Sequence, residues 1–308
     1  MALQREIWIN SIIEGLFADN TFASKSTDHS GFVNAKTVHV PNAGTYPAVV
    51  KVRPNSTTTT PGQATKNPGK VDDVDLQYSI ESYFVGPLVI PNAEVVELSY
   101  DKRNSVLFNI RAALADAIHG DLIYKWIPAG GVTIATSGAT GGYLVTGATG
   151  ARNKLVKGDV LKIRTIFDSQ NMPQVGRNLM VDANMYGELL ESLTDTEAAA
   201  FLATANAATG QIGKLYGFDV FLRSQVAKAT AAGAAKLFSA ANAAADCAAG
   251  IAWSSVAVSR ATGNAEIFDN PGNAMYFGDV LSGEIRAGGS FMRNDKKGVV
   301  LVYQGTPA

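Results

Sequence analysis

Residues Ser99 to Trp126 read SYDKRNSVLFNIRAALADAIHGDLIYKW, the longest stretch of helical periodicity in the chain. Leu107, Ile110, Leu114, Ile118 and Leu122 recur at spacings of three and four, which sets them on one stripe of a 3.6-residue helix, and such a stripe must bury against something. Ser99 can cap the first turn, Asp101 sits where the helix dipole favours negative charge, and Pro128 cannot continue the ladder. At ~1.5 Å per residue the run makes a rod of roughly 40 Å, longer than the ~30 Å of a small domain. The sequence therefore predicts a spine helix, 99–126, along the flank of the molecule, with both halves of the chain attached to it. Arg111 falls inside the apolar arc and is expected to carry its charge past the stripe into solvent.

Upstream, Lys36 to Val40 alternates, and so does Asp75 to Phe84, with Leu76, Tyr78, Ile80 and Phe84 on one face and Gln77, Ser79 and Glu81 on the other. The two predict a long antiparallel hairpin. Its distal part, Arg53 to Asp75, carries three prolines, two glycines and five threonines with almost no large apolar side chain. Such a segment builds no core and reads as an arm projecting from the body. Residues 3–18 place Ile7, Trp8, Ile12 and Leu16 at helical spacing ahead of a polar stretch, the pattern of a short amphipathic helix on an N-terminal arm. Without the basic face of an interfacial helix, it is expected to dock on a neighbour or on its own body. Gly86-Pro87 reads as a turn and Leu88 to Ile90 as a short strand.

Downstream of Pro128, the Gly/Thr-rich stretch from Ala129 to Ala151 reads as a loop or ragged hairpin. A helix follows over 159–169, then a buried strand at Arg177 to Asp182 and a helix from Asn184 to Leu193. Thr194 to Glu197 is a capping box opening an alanine-rich helix that Gly210 closes. Gly217 to Arg223 predicts a strand with Phe218, Val220 and Leu222 opposed to Asp219 and Arg223. The stretch from Lys236 to Ala261 predicts another strand and a helix. Strands return from Glu266 and end in the continuous apolar run Gly298 to Tyr303. Strands alternating with helices give a mixed α/β domain within an α+β chain.

The 308 residues, 46% hydrophobic and 17% charged, are enough for two domains and a sizeable core. Lys and Arg number 26 against 27 Asp and Glu, a formal charge of -1, so no global field holds the chain to nucleic acid or an anionic membrane. No apolar run approaches the ~20 residues needed to span a bilayer, and Arg5, Glu6 and Glu14 break any signal-peptide core. Synthesis in a cytoplasm is expected. The single Cys247 excludes an internal disulfide and reads as an inert packed thiol.

Motifs for chemistry are missing. The Gly-rich stretch Gly138 to Gly150 contains neither GxxxxGK[ST] nor GxGxxG, and Gly69-Lys70 is followed by Val71 where a phosphate loop needs a hydroxyl. No GxSxG elbow and no HExxH pair occurs. His29, His39 and His119 stand far apart in different kinds of segment. The expectation is a protein without catalytic residues, cofactor or metal.

Phe167-Asp168, Asn171-Met172-Pro173, Arg177, Leu179-Met180-Val181, Tyr186 and Leu189, taken in line, resemble a segment common in major capsid proteins of tailed bacteriophages. Gly217-Phe218-Asp219-Val220, Ile251-Ala252-Trp253 and the run from Tyr276-Phe277-Gly278 to Val302 are similar to later landmarks of that family. The order of parts agrees as well. The resemblance implies the Hong Kong 97 fold, with an N-terminal arm over 1–35, an extended hairpin loop over 36–87, and a peripheral domain with sheet and spine helix over 88–167 and 269–308. An α/β axial domain follows from 168–268.

The function it implies is a coat protein that self-assembles through pentamers and hexamers into an icosahedral virion shell around double-stranded DNA. That DNA would be enclosed without specific binding. Scaffold, portal and decoration proteins are possible partners, and no membrane is involved. Arg53, Lys66, Lys70, Val71 and Val74 are the expected inter-subunit contacts. The resemblance equally admits an encapsulin-like cellular compartment shell. Two readings from other classes are a tail or adhesion module and a small-molecule enzyme using the α/β domain.

Overall fold

The structure is a computed structural model that describes residues 20–32, 36–43, 73–92, 102–224 and 226–307. In chain order its elements are β1 (Thr27–Asp28), β2 (Thr37–Asn42), β3 (Val74–Pro91), α1 (Lys102–Trp126), β4 (Val132–Ala135), α2 (Lys157–Ser169), β5 (Arg177–Val181), α3 (Ala183–Glu191) and α4 (Asp195–Leu202). There follow β6 (Gln211–Leu215), β7 (Phe218–Leu222), β8 (Ala227–Ala229), β9 (Ala235–Lys236), β10 (Cys247–Ser254), β11 (Ser259–Thr262), β12 (Glu266–Asn273), β13 (Gly278–Gly288) and β14 (Val299–Tyr303).

The strands form two sheets, and α1 packs on both. Its first half supplies Ile110 and Leu114 to a small core with Ile90 of β3 and Leu281 of β13. Its last turns supply Leu122, Ile123 and Trp126 to the main core, beside Phe22 and Trp253. The stripe read from the sequence is thus one continuous contact serving two cores, and this is why the helix is long. Leu107 is only half-buried and Arg111 is exposed. The helix stops at Trp126 ahead of Pro128. Ser99, Asp101 and the N-terminal residues 3–18 lie outside the described residues.

The first sheet runs β1-β11-β13-β3-β2, with β12 on the other side of β13 from β3. β2 and β3 are antiparallel, Thr37 opposite Ser79 and Asn42 opposite Val74, as the alternation predicted. Gly86-Pro87 does not turn the chain. β3 runs through it to Pro91 against β13, with a register shift between Leu281 and Gly283, so the Gly-Pro pair forms a bulge where the missing proline N–H costs no ladder bond. Phe84 departs from the expected face too. Tyr78 and Ile80 are buried, but Glu81 and Ser82 are both exposed, and Tyr83 and Val85 then turn inward while Phe84 is 78% exposed. A change of phase within one strand leaves no trace in simple alternation.

The second sheet runs β4-β14-β10-β5-β7-β6, with β8 and β9 extending it beside β10. β5 and β10 are buried along their whole length and β14 nearly so, the pattern of strands covered on both faces. The helix expected between Lys236 and Ala261 is absent: β10 and β11 occupy Cys247–Ser254 and Ser259–Thr262. Alanine-rich composition points to helix, yet the alanines of β10 sit in a ladder with β8, Ala249 opposite Ala227 and Ala248 opposite Lys228. The helix expected to run to Gly210 also ends early, at Leu202, and Gly210 instead closes a short 3-10 turn with φ +67°. Its capping box is as read, Thr194 and Glu197 bonding reciprocally.

Between α2 and β5 the chain is held by one buried arginine. Arg177 pairs with Asp168 at 2.7 Å, donates from Nε to the Pro173 carbonyl at 2.8 Å and from a terminal nitrogen to the Met172 carbonyl at 2.7 Å. Its guanidinium lies 5.5 Å from the centre of the Phe167 ring. The motif residues Phe167, Asp168, Met172, Pro173 and Arg177 are therefore one physical unit: a helix exit folded around a cation.

Candidate assembly surfaces

The hairpin base is tied down by hydrogen bonds. Asn42 donates to the Met292 carbonyl at 3.0 Å and accepts from the Asn294 amide at 3.2 Å, which ties β2 to the loop before β14. Asp75 accepts from His39 at 2.6 Å and Gln77 at 2.7 Å, and those bonds hold its carboxyl below the usual carboxylate range. Val74, the last paired residue, stays exposed. Of the expected contact residues it alone is described; Arg53, Lys66, Lys70 and Val71 lie outside the described residues.

Charges fasten β3 to α1. Lys125 meets Glu81 at 2.9 Å and Asp121 at 2.8 Å, and Tyr83 donates to Asp121. Burial works against the ammonium ion, but the bonds to Asp121 and Glu81 outweigh it and hold the Lys125 pKa above its ordinary value. At the other end of the helix Arg103 pairs with Asp269 of β12 and lies 3.9 Å from Asp279 of β13.

Large apolar side chains remain uncovered at the ends of the sheets. The turn between β12 and β13 presents Met275, 80% exposed, and Phe277, 81% exposed, with Tyr276 between them. Leu88 and Val89 of β3 lie alongside, opposite Leu281 and Val280. On the second sheet Val175 is 87% exposed and stands near exposed Val256, since the Ser255 amide donates to the Gly176 carbonyl. Clustered exposure of this kind marks interaction surfaces in soluble proteins.

The Gly/Thr-rich stretch is pinned by carboxylates that the sequence did not single out. Glu188 of α3 accepts from the Tyr143 amide at 3.0 Å and the Leu155 amide at 2.9 Å. Asp182 caps α3 by accepting from the Met185 amide at 2.8 Å and also accepts from the Tyr143 hydroxyl. Burial pushes both carboxyls up. Arg223, expected on the polar side of its strand, is buried: it pairs with Asp116 of α1 at 2.7 Å and joins the second sheet to the helix. No local sequence signal separates such an arginine from a solvated one, because its partner lies 107 positions away.

Among the described residues no group of three His, Cys, Asp or Glu is placed to hold a metal ion. Cys247 is buried and burial pushes its thiol up to about 11, the setting of an inert thiol. A cleft of about 570 Å³ at the C-terminal end of α1 is lined by backbone and by Tyr124, Ile127, Phe291 and Leu301, with Lys125 as its one charged lining residue among those described. No described helix is long and apolar enough to cross a membrane.

No family model and no curated protein sequence matches the chain. Solved structures do. A structure from Mycobacterium phage Che8 superposes with a TM-score of 0.66 over 98% of this chain and 97% of that one, at 16% identity. The capsid structure of Cyanophage P-SCSP1u gives 0.65 over 99% and 94%, at 17% identity. This chain has the Hong Kong 97 fold. The capsid of a native GTA particle, at 12% identity and a TM-score of 0.60, likewise covers 99% of this chain and 96% of its own. α1 stands where the spine helix was expected, and β2 pairs with β3 as the base of the expected hairpin.

Proposed function

We propose that this chain is a major capsid protein, self-assembling through pentamers and hexamers into an icosahedral shell around double-stranded DNA. The observation that carries this reading is superposition over more than nine-tenths of both chains with capsid subunits. A match to a shared subdomain would leave one chain largely uncovered. Three further features agree. Uncovered aromatic and aliphatic side chains sit at the ends of the sheets, the hairpin base is bonded to the loop before β14, and the near-neutral charge suits a lumen through which DNA slides.

In this reading the four parts keep separate tasks. The extended loop over 36–87 reaches neighbours, while in the arm over 1–35 the stretch with Phe22 and β1 packs on its own subunit. The peripheral parts, 88–167 and 269–308, carry the long edge along α1. The axial part, 168–268, meets its copies around five-fold and six-fold axes through heterologous contacts. Arg53, Lys66 and Lys70 pair with a neighbour's carboxylates, while Val71 and Val74 add strand and apolar contact. The particle is a virion assembled in a bacterial host, with scaffold, portal and decoration proteins as further partners.

The test is expression of the full chain followed by sedimentation and electron microscopy. Closed shells are expected, and particles from the native source should carry nuclease-protected DNA. A compact monomer under every salt and crowding condition would overturn the assembly, and shells holding protein cargo without DNA would overturn the genome.

A further inference from the structure

The turn between β12 and β13 is a knob held in shape by its own hydrogen bonds. The Met275 amide donates to the Asn273 side chain at 2.9 Å, the Tyr276 amide to the Asn273 carbonyl at 3.2 Å, and the Phe277 carbonyl accepts from the Asn92 amide at 2.9 Å. Within this frame Phe277 has φ +49°, a conformation that bulky L-residues rarely take, and the residue is 81% exposed. Packing inside the subunit does not account for an aromatic residue kept on a strained backbone in solvent, whereas a partner does. The stretch from Glu266 to Asp279 also carries three carboxylates, Glu266, Asp269 and Asp279, and no Lys or Arg.

The cleft at the C-terminal end of α1 is its complement. Tyr124, Ile127, Phe291 and Leu301 give it apolar walls, and Thr133 and Ala232 in its lining are exposed. Its volume, about 570 Å³, lies within the ~300 to 1,000 Å³ of sites that enclose a small molecule, room for the side chains of Phe277 and Met275 together. The adjoining loop, 293–297, is basic: Arg293, Lys296 and Lys297 stand against Asp295 alone. Lys296 reaches the cleft's edge, donating to the carbonyl of the lining residue Ala129 at 2.6 Å. Arg103, near the start of α1, pairs with Asp269 and lies 3.9 Å from Asp279, so the knob is fixed at one end of the helix and the cleft at the other. At ~1.5 Å per residue the helix from Arg103 to Tyr124 is ~31 Å long, which keeps the knob out of its own subunit's cleft.

We propose that the Met275–Phe277 knob of one copy inserts into the cleft at the C-terminal end of α1 in a second copy, with Phe277 against the apolar walls and the acidic stretch 266–279 facing the basic loop 293–297. The inference rests on the self-assembly reading above and names one of its contacts. Because knob and cleft are different surfaces at opposite ends of the subunit, each copy can give one contact and receive another, the heterologous pattern that builds rings and shells.

Phe277→Gly tests the knob without endangering the fold, since glycine accepts φ +49° and the exposed ring leaves no core behind. Its melting temperature should equal or exceed that of the wild type, while its association constant in sedimentation should fall at least tenfold. Thr133→Trp fills the cleft from an exposed strand position and should weaken association to the same degree. Added salt should weaken wild-type association as well, by screening the acidic stretch from the basic loop. A cross-link then reads the contact directly. In an equimolar mixture of full-length Met275→Cys and Ala232→Cys chains, oxidation should join the two kinds of chain, and Cys247, being buried, does not compete. Association of Phe277→Gly equal to the wild type, or assembled mixtures without that cross-link, would overturn this contact and leave the capsid reading standing. A wild-type chain that stays monomeric at every salt and protein concentration would overturn both.

Discussion

Arg177 is 3% exposed and has no route to water, so its charge is tolerated only because Asp168, two carbonyls and an aromatic face surround it. Arg177→Ala should cost about 3 kcal/mol in denaturant unfolding, from stranded carbonyls as much as from the lost pair. Asp168→Asn should also lower stability clearly: the carboxylate itself is 44% exposed, but its loss leaves the buried Arg177 guanidinium without its counter-charge. Glu197 sets an acid limit. Its bonds to Lys157 and to the amide and hydroxyl of Thr194 draw its carboxyl from 4.5 down to about 2. A folded pKa below the unfolded one means that the bonds stabilise fully above about 4.5 and lose that effect as pH falls toward about 2. Asp182 and Glu188 act in the opposite sense: burial raises them, so ionising them disfavours the fold at neutral pH and the penalty fades in acid. Melting temperature against pH should therefore fall less steeply between 4.5 and 2 in Glu197→Gln than in the wild type. Parallel curves would assign the acid limb to other carboxylates.

At the scale of elements, the contact between α1 and β13 controls whether the first sheet stays on the spine. Gly283 lies where the strand touches the helix: a Cβ there would stand 2.7 Å from Ile110 Cγ2 and 3.4 Å from Leu114 Cδ1. Gly283→Ala should destabilise by ~1 to 3 kcal/mol through overpacking, and Leu114→Asp by at least ~3 kcal/mol through a buried unpaired carboxylate. Thermal melts unaffected by both would place the stripe in solvent. These elements show why some of the fold was legible. The α1 stripe could be read because local spacing alone puts Ile110, Leu114, Ile118 and Leu122 on one face. The hairpin root could be read because Tyr78 and Ile80 alternate against polar neighbours. The phase change at Glu81-Ser82 could not, being set by pairing with β13 about two hundred positions on, and neither could β11, a strand where a helix was expected, because its partner β13 lies further down the chain. The polar ties of Glu188, Asp182 and Arg223 were hidden for the same reason: each residue's role belongs to a partner distant in sequence.

At the scale of the whole molecule, the proposed function assigns folding and assembly to different parts of the chain, and that separation can be tested. The three cores lie within the sheets and α1, while the apolar side chains left in solvent and the hairpin base with Val74 face outward. A formal charge of -1 leaves a dissociated subunit with no more than generic affinity for duplex DNA, ~10⁻⁴ M or weaker at physiological salt, and fluorescence anisotropy showing submicromolar binding would contradict a passive container. The sharper experiment concerns the loop. Asn42 and Val74 form the last pair of β2 and β3, and Asn42 is held independently by the loop at Met292 and Asn294. Replacing residues 43–73 by Asn-Gly closes that pair with a two-residue turn whose twist suits antiparallel strands. None of the described core residues is removed, and the long loop's closure entropy falls, so the melting temperature should match or exceed that of the wild type. Arg53, Lys66, Lys70 and Val71 vanish with the loop, and Val74 loses its neighbours in the loop. If those residues join subunits, the shortened protein should stay a folded monomer or small oligomer that never closes into shells. Shells of wild-type stability from the shortened chain would instead give assembly to the exposed side chains of the sheet ends, Phe277 and Val175 first among them.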